Sequence, residues 1–286
     1  MQILRALEMG MCFGVRDALA VVDRLPTPAT VTIHGELVHN REVLALLDRR
    51  GFARSPEAGR EVPTTPVVLV TAHGISDQER QRLVAAGKQV VDTTCPLVRK
   101  AHEAAQQLAA EGRRVIVIGR ANHVEVRGLV EDLADPLVVA GLADVATWPQ
   151  AKLGIVCQTT TQVEVAECLI AAIVAQNRHA DVRHIDTICS PTKARIEALL
   201  ALLPSIDRLV VVGGHESNNC KQLVLRGEHF GVRTFHVEHV RELQREWFDD
   251  AQAVGLTAGT STLPRTIEEV HGWLSRLGAE RRGRSA

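Results

Sequence analysis

The stretch VVDTTCPLVRK, Val90 to Lys100, decides how the rest of the sequence is interpreted. An apolar run ends in Asp92 and two threonines, and Cys95 follows with a proline directly behind it. A near copy, HIDTICSPTKA, begins 94 positions later at His184. The repeated Asp-Thr-X-Cys string indicates that Cys95 and Cys189 occupy the same place in two copies of one structural unit.

Apolar, β-branched-rich runs of strand length recur around these strings. The clearest are TPVVLVTA, RRVIVIG and DRLVVVGG, and segments with helical spacing separate them. This alternation predicts an α/β fold made of βαβ units with parallel sheets. In such sheets ligands bind beyond the carboxyl ends of the strands, so we expect the functional residues in the loops that follow the strands.

Each of three cysteines is followed by two polar loops at similar distances. The cysteines are Cys12, Cys95 and Cys189. The first loop comes 27 or 28 residues after the cysteine, at His39, His123 and Ser217. The second comes 61 to 72 residues after it, at His73, Thr159 and Ser261. The register predicts three fused α/β units over residues 13–95, 96–188 and 189–275, with an N-terminal strand over 1–12 packing at the centre and a flexible tail over 276–286.

Composition narrows the possible partners. The 286 residues are 45% apolar and 23% charged, which is typical of a globular protein with a large core. A net charge of -1 and only eight Trp and Phe side chains with no Tyr argue against nucleic acid. No apolar stretch reaches the roughly 18 residues of a membrane span, and the N-terminus lacks a secretory pattern, so we predict a cytoplasmic protein with reduced cysteines and no membrane partner.

Three reduced cysteines at strand–helix junctions suit a soft metal. The start of a helix stabilises a negatively charged sulfur, and thiolates select zinc, copper(I) or iron–sulfur clusters. Structural zinc usually shows close C-x2-C pairs, which this sequence lacks. One cysteine per repeat better matches a four-iron, four-sulfur (4Fe-4S) cluster with one iron left without a protein ligand. Cys157, Cys168 and Cys220 have no counterpart in the other repeats and are interpreted as small core residues.

An ordered series of strings resembles the 4-hydroxy-3-methylbut-2-enyl diphosphate reductases, iron–sulfur enzymes of the methylerythritol phosphate route to isoprenoids. The strings are GMCFGV at Gly10, LVHN at Leu37, AHGIS at Ala72, DTTCPLV at Asp92, HVEV at His123, QTT at Gln158, DTIC at Asp186, ESNN at Glu216 and TAGTS at Thr257. The resemblance implies a trefoil of three pseudo-threefold-related α/β domains around a 4Fe-4S cluster held by Cys12, Cys95 and Cys189.

The resemblance also implies a reaction and a set of residue roles. The family removes an allylic hydroxyl with two electrons and two protons, giving isopentenyl and dimethylallyl diphosphate, with ferredoxin or flavodoxin as electron donor. Glu125 would be the proton source and Thr159 its hydroxyl partner. The diphosphate would be bound by His39, His73, His123, Ser217, Asn218, Asn219 and Ser261. The remaining nine histidines are interpreted as structural: His34, His102, His179, His184, His215, His229, His236, His239 and His271.

Several neighbours of these residues depart from the family pattern. Val124 stands where the family usually has proline, Asn218 where it has a second serine, and Pro191 where it has alanine; the proline expected soon after Ser261 is displaced to Pro264. Three alternatives to the reductase therefore stay open at this point. They are a diverged relative acting on another hydroxylated substrate, a non-catalytic iron–sulfur sensor or scaffold, and a zinc hydrolase using His39, His73 and His123.

Overall fold

Strands and helices alternate along the chain, as the sequence predicts. The structure is a computed structural model that describes residues 1–57, 59 and 61–284. The strands are β1 (Gln2–Arg5), β2 (Val31–His34), β3 (Ala53–Arg54), β4 (Val67–Val70), β5 (Gln89–Asp92), β6 (Arg114–Ile118), β7 (Leu137–Val139), β8 (Lys152–Cys157), β9 (Asp181–His184), β10 (Arg208–Val212), β11 (Arg233–Val237) and β12 (Ala253–Ala258).

The helices occupy the connections between the strands. The α-helices are α1 (Phe13–Asp23), α2 (Arg41–Arg49), α3 (Asp77–Ala85), α4 (Pro96–Ala110), α5 (Val124–Glu131), α6 (Val163–Gln176), α7 (Ser190–Leu202), α8 (Asn218–His229) and α9 (Pro264–Arg284). Short 3-10 helices cover Pro28–Thr30, Leu142–Asp144, Leu203–Ser205, Val240–Glu242 and Arg245–Phe248. Within the described residues no helix combines the length and the apolar content that a membrane span requires.

The strands form three four-stranded parallel sheets with one repeated strand order. The orders are β3-β2-β4-β5, β7-β6-β8-β9 and β11-β10-β12-β1. The predicted α/β class with parallel sheets and a threefold repeat is therefore confirmed. Each predicted unit contains one sheet, and β1 from the N-terminus completes the third sheet at its edge. The strand covers Gln2–Arg5, so it is shorter than the strand predicted over residues 1–12.

The sheets also change how the repeat is divided. Cys95 follows β5, Cys189 follows β9 and Cys12 follows β1 after a short loop. Each cysteine therefore comes after the edge strand of a sheet. The spacing in the sequence groups a cysteine with the two polar loops that come after it. The hydrogen bonds between strands instead group it with the loops that come before it, and Cys12 shares a sheet with β10 and β12 from the other end of the chain.

The chain divides into two compact units. The one-sheet unit comprises Met1–Val15, His39–Ala45 and Ser190–Ala286 and contains the sheet β11-β10-β12-β1. The two-sheet unit comprises Arg16–Val38 and Leu46–Cys189 and contains the other two sheets. The boundaries at residues 95 and 188 stay predictions.

In the one-sheet unit, α9 packs its apolar face on the sheet. Val270, Leu274 and Leu277 join the core around β10 and β12. The helix continues to Arg284, so the structure differs from the predicted flexible tail over residues 276–284; residues 285 and 286 lie outside the described residues. Burying a leucine such as Leu277 contributes about 1.5–3 kcal/mol, and Arg281 donates hydrogen bonds to the carbonyls of Phe248 and Ala251. These contacts offset the entropy cost of ordering a basic, polar segment.

In the two-sheet unit, helices cover apolar strands that are buried on both faces, as parallel sheets require. Val68, Val70 and Leu83 form one core cluster. A second core lies around β6 and β8, where Gly154 allows Leu108 of α4 to approach so closely that a Cβ at position 154 would lie 2.9 Å from the leucine side chain. The close contact fixes α4, and with it the helix start that follows Cys95.

The first Asp-Thr-X-Cys string folds into a hydrogen-bonded junction between β5 and α4. The Thr93 hydroxyl donates to the carbonyl of Val70 on the neighbouring strand at 2.5 Å. An Asp92 carboxylate oxygen accepts the backbone N–H of Thr94 at 2.8 Å. These two bonds end the strand and turn the chain, so Cys95 arrives at the N-cap position of α4.

The Asp92 carboxylate is held as an anion at this junction. Burial by itself raises the pKa of Asp92, but the hydrogen bonds from Thr94 and the charge of Arg80 outweigh burial and lower the pKa below its ordinary value. Arg80 and Arg99 both donate to the same carboxylate oxygen, at 2.7 and 3.0 Å. The string therefore needs an aspartate because a neutral side chain would leave these two cations without their shared partner.

The second string repeats the junction between β9 and α7. The Thr187 hydroxyl donates to the carbonyl of Cys157 at 2.6 Å and accepts the N–H of the same residue at 2.8 Å. An Asp186 carboxylate oxygen accepts the N–H of Ile188 at 3.1 Å, and Cys189 then directly precedes α7. The prediction that Cys95 and Cys189 occupy equivalent places is confirmed.

Removing the bridging hydroxyl of Thr187 should destabilise the protein. Thr187→Val keeps the side-chain volume but leaves the buried N–H and C=O of Cys157 without this partner, and we expect a loss of about 1–3 kcal/mol in the free energy of unfolding. Thr187→Ser keeps the hydroxyl and should lose less. Urea unfolding followed by circular dichroism measures both, and equal unfolding midpoints for the two variants would contradict the assigned role.

Candidate active site

The three predicted ligand cysteines share one local structure. Each is the residue directly before a helix, and each donates its backbone N–H to a carbonyl in the loop that follows the neighbouring strand. The bonds join Cys12 to Thr260 at 3.0 Å, Cys95 to Ala72 at 3.0 Å and Cys189 to Thr159 at 2.9 Å. All three cysteines are partly exposed. A partly exposed sulfur at a helix start has the setting that suits a metal-ligating thiolate.

The other three cysteines occupy different settings. Cys157 and Cys220 are buried, as expected of core residues, and burial raises the pKa of the Cys220 thiol to about 11. Cys168 is exposed on α6, which corrects the interpretation of it as a core residue. None of the three directly precedes a helix.

Glu125 and Thr159 meet inside the two-sheet unit. Glu125 lies in the first turn of α5 and is only 2% exposed. One of its carboxylate oxygens accepts the backbone N–H of Thr159 at 2.6 Å, and the other accepts the Thr159 hydroxyl at 3.0 Å. A carboxyl group this deeply buried is costly unless it is hydrogen-bonded, and both of its oxygens are. The pairing of these two residues agrees with the prediction made from the sequence.

Two of the predicted histidines lie next to this carboxylate. His123 is the N-cap of α5, and its Nδ1 accepts the N–H of Glu125 at 3.2 Å, so in the neutral ring the proton sits on Nε2. His73, in the loop after β4, packs edge-on against the His123 ring with 5.6 Å between ring centroids. His73, His123, Glu125 and Thr159 thus form one contiguous polar group in the two-sheet unit.

A second polar group lies in the one-sheet unit. Ser217 is the N-cap of α8 and accepts the N–H of Cys220 at 3.4 Å. Asn219, 1% exposed, accepts the N–H of Thr260 through Oδ1 at 3.1 Å, while its buried Nδ2 has no hydrogen-bond partner among the described residues. A buried amide that lacks an acceptor costs free energy, so this donor is suited to a ligand that supplies one.

Hydrogen bonds join the loop that carries Ser261 to His39 and Asn40. The Ser261 hydroxyl donates to the carbonyl of His39 at 3.4 Å, and the side-chain amide of Asn40 donates to the carbonyl of Ser261 at 2.9 Å. Asn218, the first residue of α8, is partly exposed beside Ser217. The structure therefore brings the Ser261 hydroxyl to the backbone of His39.

Two residues that position the site, Asn40 and Gln158, were not predicted from the sequence. Asn40 caps α2 by accepting the N–H groups of Glu42 and Val43 at 2.9 and 3.2 Å, besides holding Ser261. Gln158, 1% exposed, accepts the N–H of Arg120 at 3.2 Å and so links two loops of the two-sheet unit. The asparagine directly before a helical pattern was the available signal for Asn40; no local pattern indicates the role of Gln158.

Comparison with known proteins identifies the family of the chain. The family model described as LytB protein matches residues 3–275. A 4-hydroxy-3-methylbut-2-enyl diphosphate reductase of Anaeromyxobacter sp. (strain Fw109-5) is 36% identical over 97% of this chain and 98% of its own. An enzyme with the same name from Burkholderia pseudomallei (strain 1026b) is 37% identical over 97% of this chain and 90% of its own.

Two solved structures share the fold. A structure of (E)-4-hydroxy-3-methyl-but-2-enyl diphosphate reductase, described as the terminal enzyme of the non-mevalonate pathway, covers 96% of this chain and 100% of its own at 31% identity with a TM-score of 0.70. The reductase from Plasmodium falciparum covers 96% of this chain and 88% of its own at 27% identity with a TM-score of 0.89. The chain therefore belongs to the LytB protein family, the family of the 4-hydroxy-3-methylbut-2-enyl diphosphate reductases.

Proposed function

We propose that the protein is a 4-hydroxy-3-methylbut-2-enyl diphosphate reductase. In this reaction the allylic C–O bond breaks, two electrons and two protons are taken up, and isopentenyl or dimethylallyl diphosphate and water are released. The observation that carries the proposal is the buried Glu125 carboxylate, which accepts hydrogen bonds from both the backbone N–H and the hydroxyl of Thr159. This pair occurs in a chain that belongs to the reductase family.

We propose further that Cys12, Cys95 and Cys189 hold a 4Fe-4S cluster. The donor set fits such a group, because it consists of three partly exposed cysteines, each before a helix and each after the edge strand of a different sheet. Three thiolates leave one iron without a protein ligand, which separates this set from the four ligands of structural zinc. When bound, the cluster supplies the low-potential electrons that the reduction needs.

The electron donor and the compartment are proposed on chemical grounds. The sequence has no glycine-rich nucleotide fingerprint, so a small protein such as ferredoxin or flavodoxin is the donor that fits. A chain of 286 residues with a large core does not need disulfides for stability, and we propose the cytoplasm as its compartment. The catalytic substrate is a small molecule, and the chain's charge does not favour nucleic acid.

Glu125 is proposed to supply a proton to the departing oxygen. Hydroxide is a poor leaving group, and general acid catalysis removes this barrier when a carboxyl group lies within hydrogen-bond reach. The Thr159 hydroxyl and N–H fix the orientation of both Glu125 oxygens. Because the pair is buried, little water competes for the proton.

The diphosphate is proposed to bind the side chains predicted for this role from the sequence. They are His39, His73, His123, Ser217, Asn218, Asn219 and Ser261. Hydrogen bonds to an anionic phosphate oxygen are about twice as strong as neutral ones, so neutral donors can bind it without a lysine cluster.

A diverged substrate is the second candidate. Asn218 is partly exposed at the start of α8, directly between Ser217 and Asn219, so a change there falls within the proposed diphosphate site. Anaerobic turnover with the family substrate separates the candidates. Turnover supports the reductase, whereas a protein with a full cluster and no turnover favours another substrate or a non-catalytic role, and a protein without iron favours the zinc hydrolase.

The iron content should depend on the three junction cysteines. Protein prepared without oxygen should be brown and contain about four irons per chain. Replacing Cys12, Cys95 or Cys189 by serine should remove most of that iron, because each supplies one ligand. Cys168→Ser, at an exposed cysteine of α6, is the matched control and should keep it. Equal iron contents in the Cys95 and Cys168 variants would refute the ligand assignment.

Glu125→Gln should reduce turnover strongly while leaving the iron content unchanged. The amide has nearly the same shape but cannot donate the proton, and general acid catalysis is worth about 10²- to 10⁴-fold. Glu167→Gln, which removes a carboxylate from the exposed face of α6, controls for the charge change. The measurement is the anaerobic steady-state rate with a chemical reductant, and an unchanged rate for Glu125→Gln would exclude the proton-donor role.

Asn219→Asp should weaken substrate binding more than it slows the chemical step. The variant keeps an oxygen for the Thr260 N–H but replaces the buried Nδ2 donor by a negative charge facing the proposed diphosphate site. Losing a hydrogen bond to a charged group costs about 1.5–3 kcal/mol, so KM should rise about 10- to 100-fold. Gln244→Glu adds the same charge at an exposed position of the same unit and should leave KM unchanged. An Asn219 variant with normal KM would refute the assignment.

A further inference from the structure

A cluster of three histidines and two glutamates lies beside the loop that follows β10, outside the sites described above. Its residues, called the histidine–glutamate cluster, are His215, His236, Glu238, His239 and Glu242. All five belong to the one-sheet unit, and the histidines were interpreted as structural from the sequence. Ligand atoms of His215, Glu238 and Glu242 lie within 4.8 Å of one another.

A hydrogen-bond relay fixes the protonation of the His215 ring. His236 Nε2 lies 2.9 Å from the carbonyl of Gly213, which only accepts, so Nε2 carries the proton. In the neutral His236 ring, Nδ1 is then an acceptor. His215 Nδ1 faces that atom at 3.4 Å and is the donor. In a neutral His215 ring, Nε2 therefore presents a lone pair.

That nitrogen lies close to a carboxylate. His215 Nε2 lies 3.4 Å from a Glu242 oxygen, Oε2. The distance is long for a charge-assisted hydrogen bond, for which about 2.7–2.9 Å is typical. It is close to the separation of about 3.4 Å between two ligands of a tetrahedral zinc ion with bonds of about 2.0–2.1 Å. A cation between the two atoms would turn a repulsive arrangement into a favourable one.

The two carboxylates are oriented by neighbours, as metal ligands usually are. Glu242 Oε1 lies 3.3 Å from His239 Nε2, which carries the proton because His239 Nδ1 accepts the N–H of Arg241. Glu242 Oε2 accepts the N–H of Glu238 at 3.0 Å. Glu238 Oε1 accepts the N–H of His215 at 2.8 Å.

We propose that His215, Glu238 and Glu242 bind one zinc ion. One imidazole nitrogen and two carboxylate oxygens make the borderline donor set that zinc accepts, with a fourth position for water. The site is separate from the three junction cysteines, and the inference does not depend on the proposed reductase activity. Because Ser217 lies two residues after His215, the ion would tie the start of α8 to the segment after β11.

Zinc binding to anaerobically purified protein tests the proposal. After loading with Zn²⁺ and dialysis, metal analysis should find one zinc per chain in addition to any iron, and this zinc should be lost in His215→Ala and Glu242→Gln. His229→Ala, at an exposed histidine of α8, is the matched control and should keep it. His236→Ala removes only the relay and should weaken zinc binding about 10- to 100-fold.

The ligand type provides a second readout. The zinc-edge X-ray absorption spectrum should show nitrogen and oxygen neighbours at about 2.0–2.1 Å and no sulfur at about 2.3 Å. Glu242→Gln keeps the side-chain shape, so loss of zinc with an unchanged circular dichroism spectrum cannot be explained by unfolding. A sulfur shell, failure to retain zinc, or a zinc content unaffected by the His215 and Glu242 substitutions would overturn the proposal.

Discussion

One backbone hydrogen bond at each strand–helix junction determines where the cysteine thiols are held. The N–H of the cysteine donates to the loop beyond the neighbouring strand, while the next residue is already helical. At Cys95 and Cys189 the Asp-Thr-X-Cys junction makes this geometry from local side chains. Cys12 reaches it differently, since Gly10 has φ +76° and donates its N–H to Ala258 at 3.0 Å, and the buried Arg195 guanidinium donates to the Gly10 carbonyl. The same backbone hydrogen bond of the cysteine is thus formed in two different ways.

That difference explains how far the sequence predicts the structure. The strands, the parallel sheets and the equivalence of Cys95 and Cys189 follow from patterns that lie within a few residues, so they were predictable. Which loops share a sheet with each cysteine was not predictable, because the third sheet takes β1 from the far end of the chain and spacing does not reveal which strands pair. The helical segment up to Arg284 was missed for a related reason: its composition is that of a solvated end, and contacts with Phe248 and Ala251, which lie far away in the sequence, help to order it.

The departures from the family pattern leave these local structures intact. Val124 replaces a proline at the first position of α5, where it is 3% exposed, and His123 still caps that helix. Pro191 lies in the first turn of α7, where proline is tolerated because the N–H has no partner within the helix, and its carbonyl accepts from Arg195 at 2.9 Å. Asn218 alone changes an accessible polar group beside Ser217. The sequence identifies these three departures, but only their positions in the helices separate the two that conserve structure from the one that changes an accessible polar group.

The loops carrying Ser217 and Ser261 are held close together by packing around Cys220. A Cβ at Gly213 would lie 2.6 Å from the Cys220 sulfur, and one at Gly259 would lie 2.1 Å from it, so both positions exclude larger residues. Gly213 also has φ +144°, which strongly favours glycine, and its carbonyl is the acceptor that fixes the tautomer of His236. The backbone that positions the proposed diphosphate donors is therefore the same backbone that orients the histidine–glutamate cluster. An ion bound by His215 would act on the start of α8 directly, because His215 lies in the turn that leads from Gly213 into this helix.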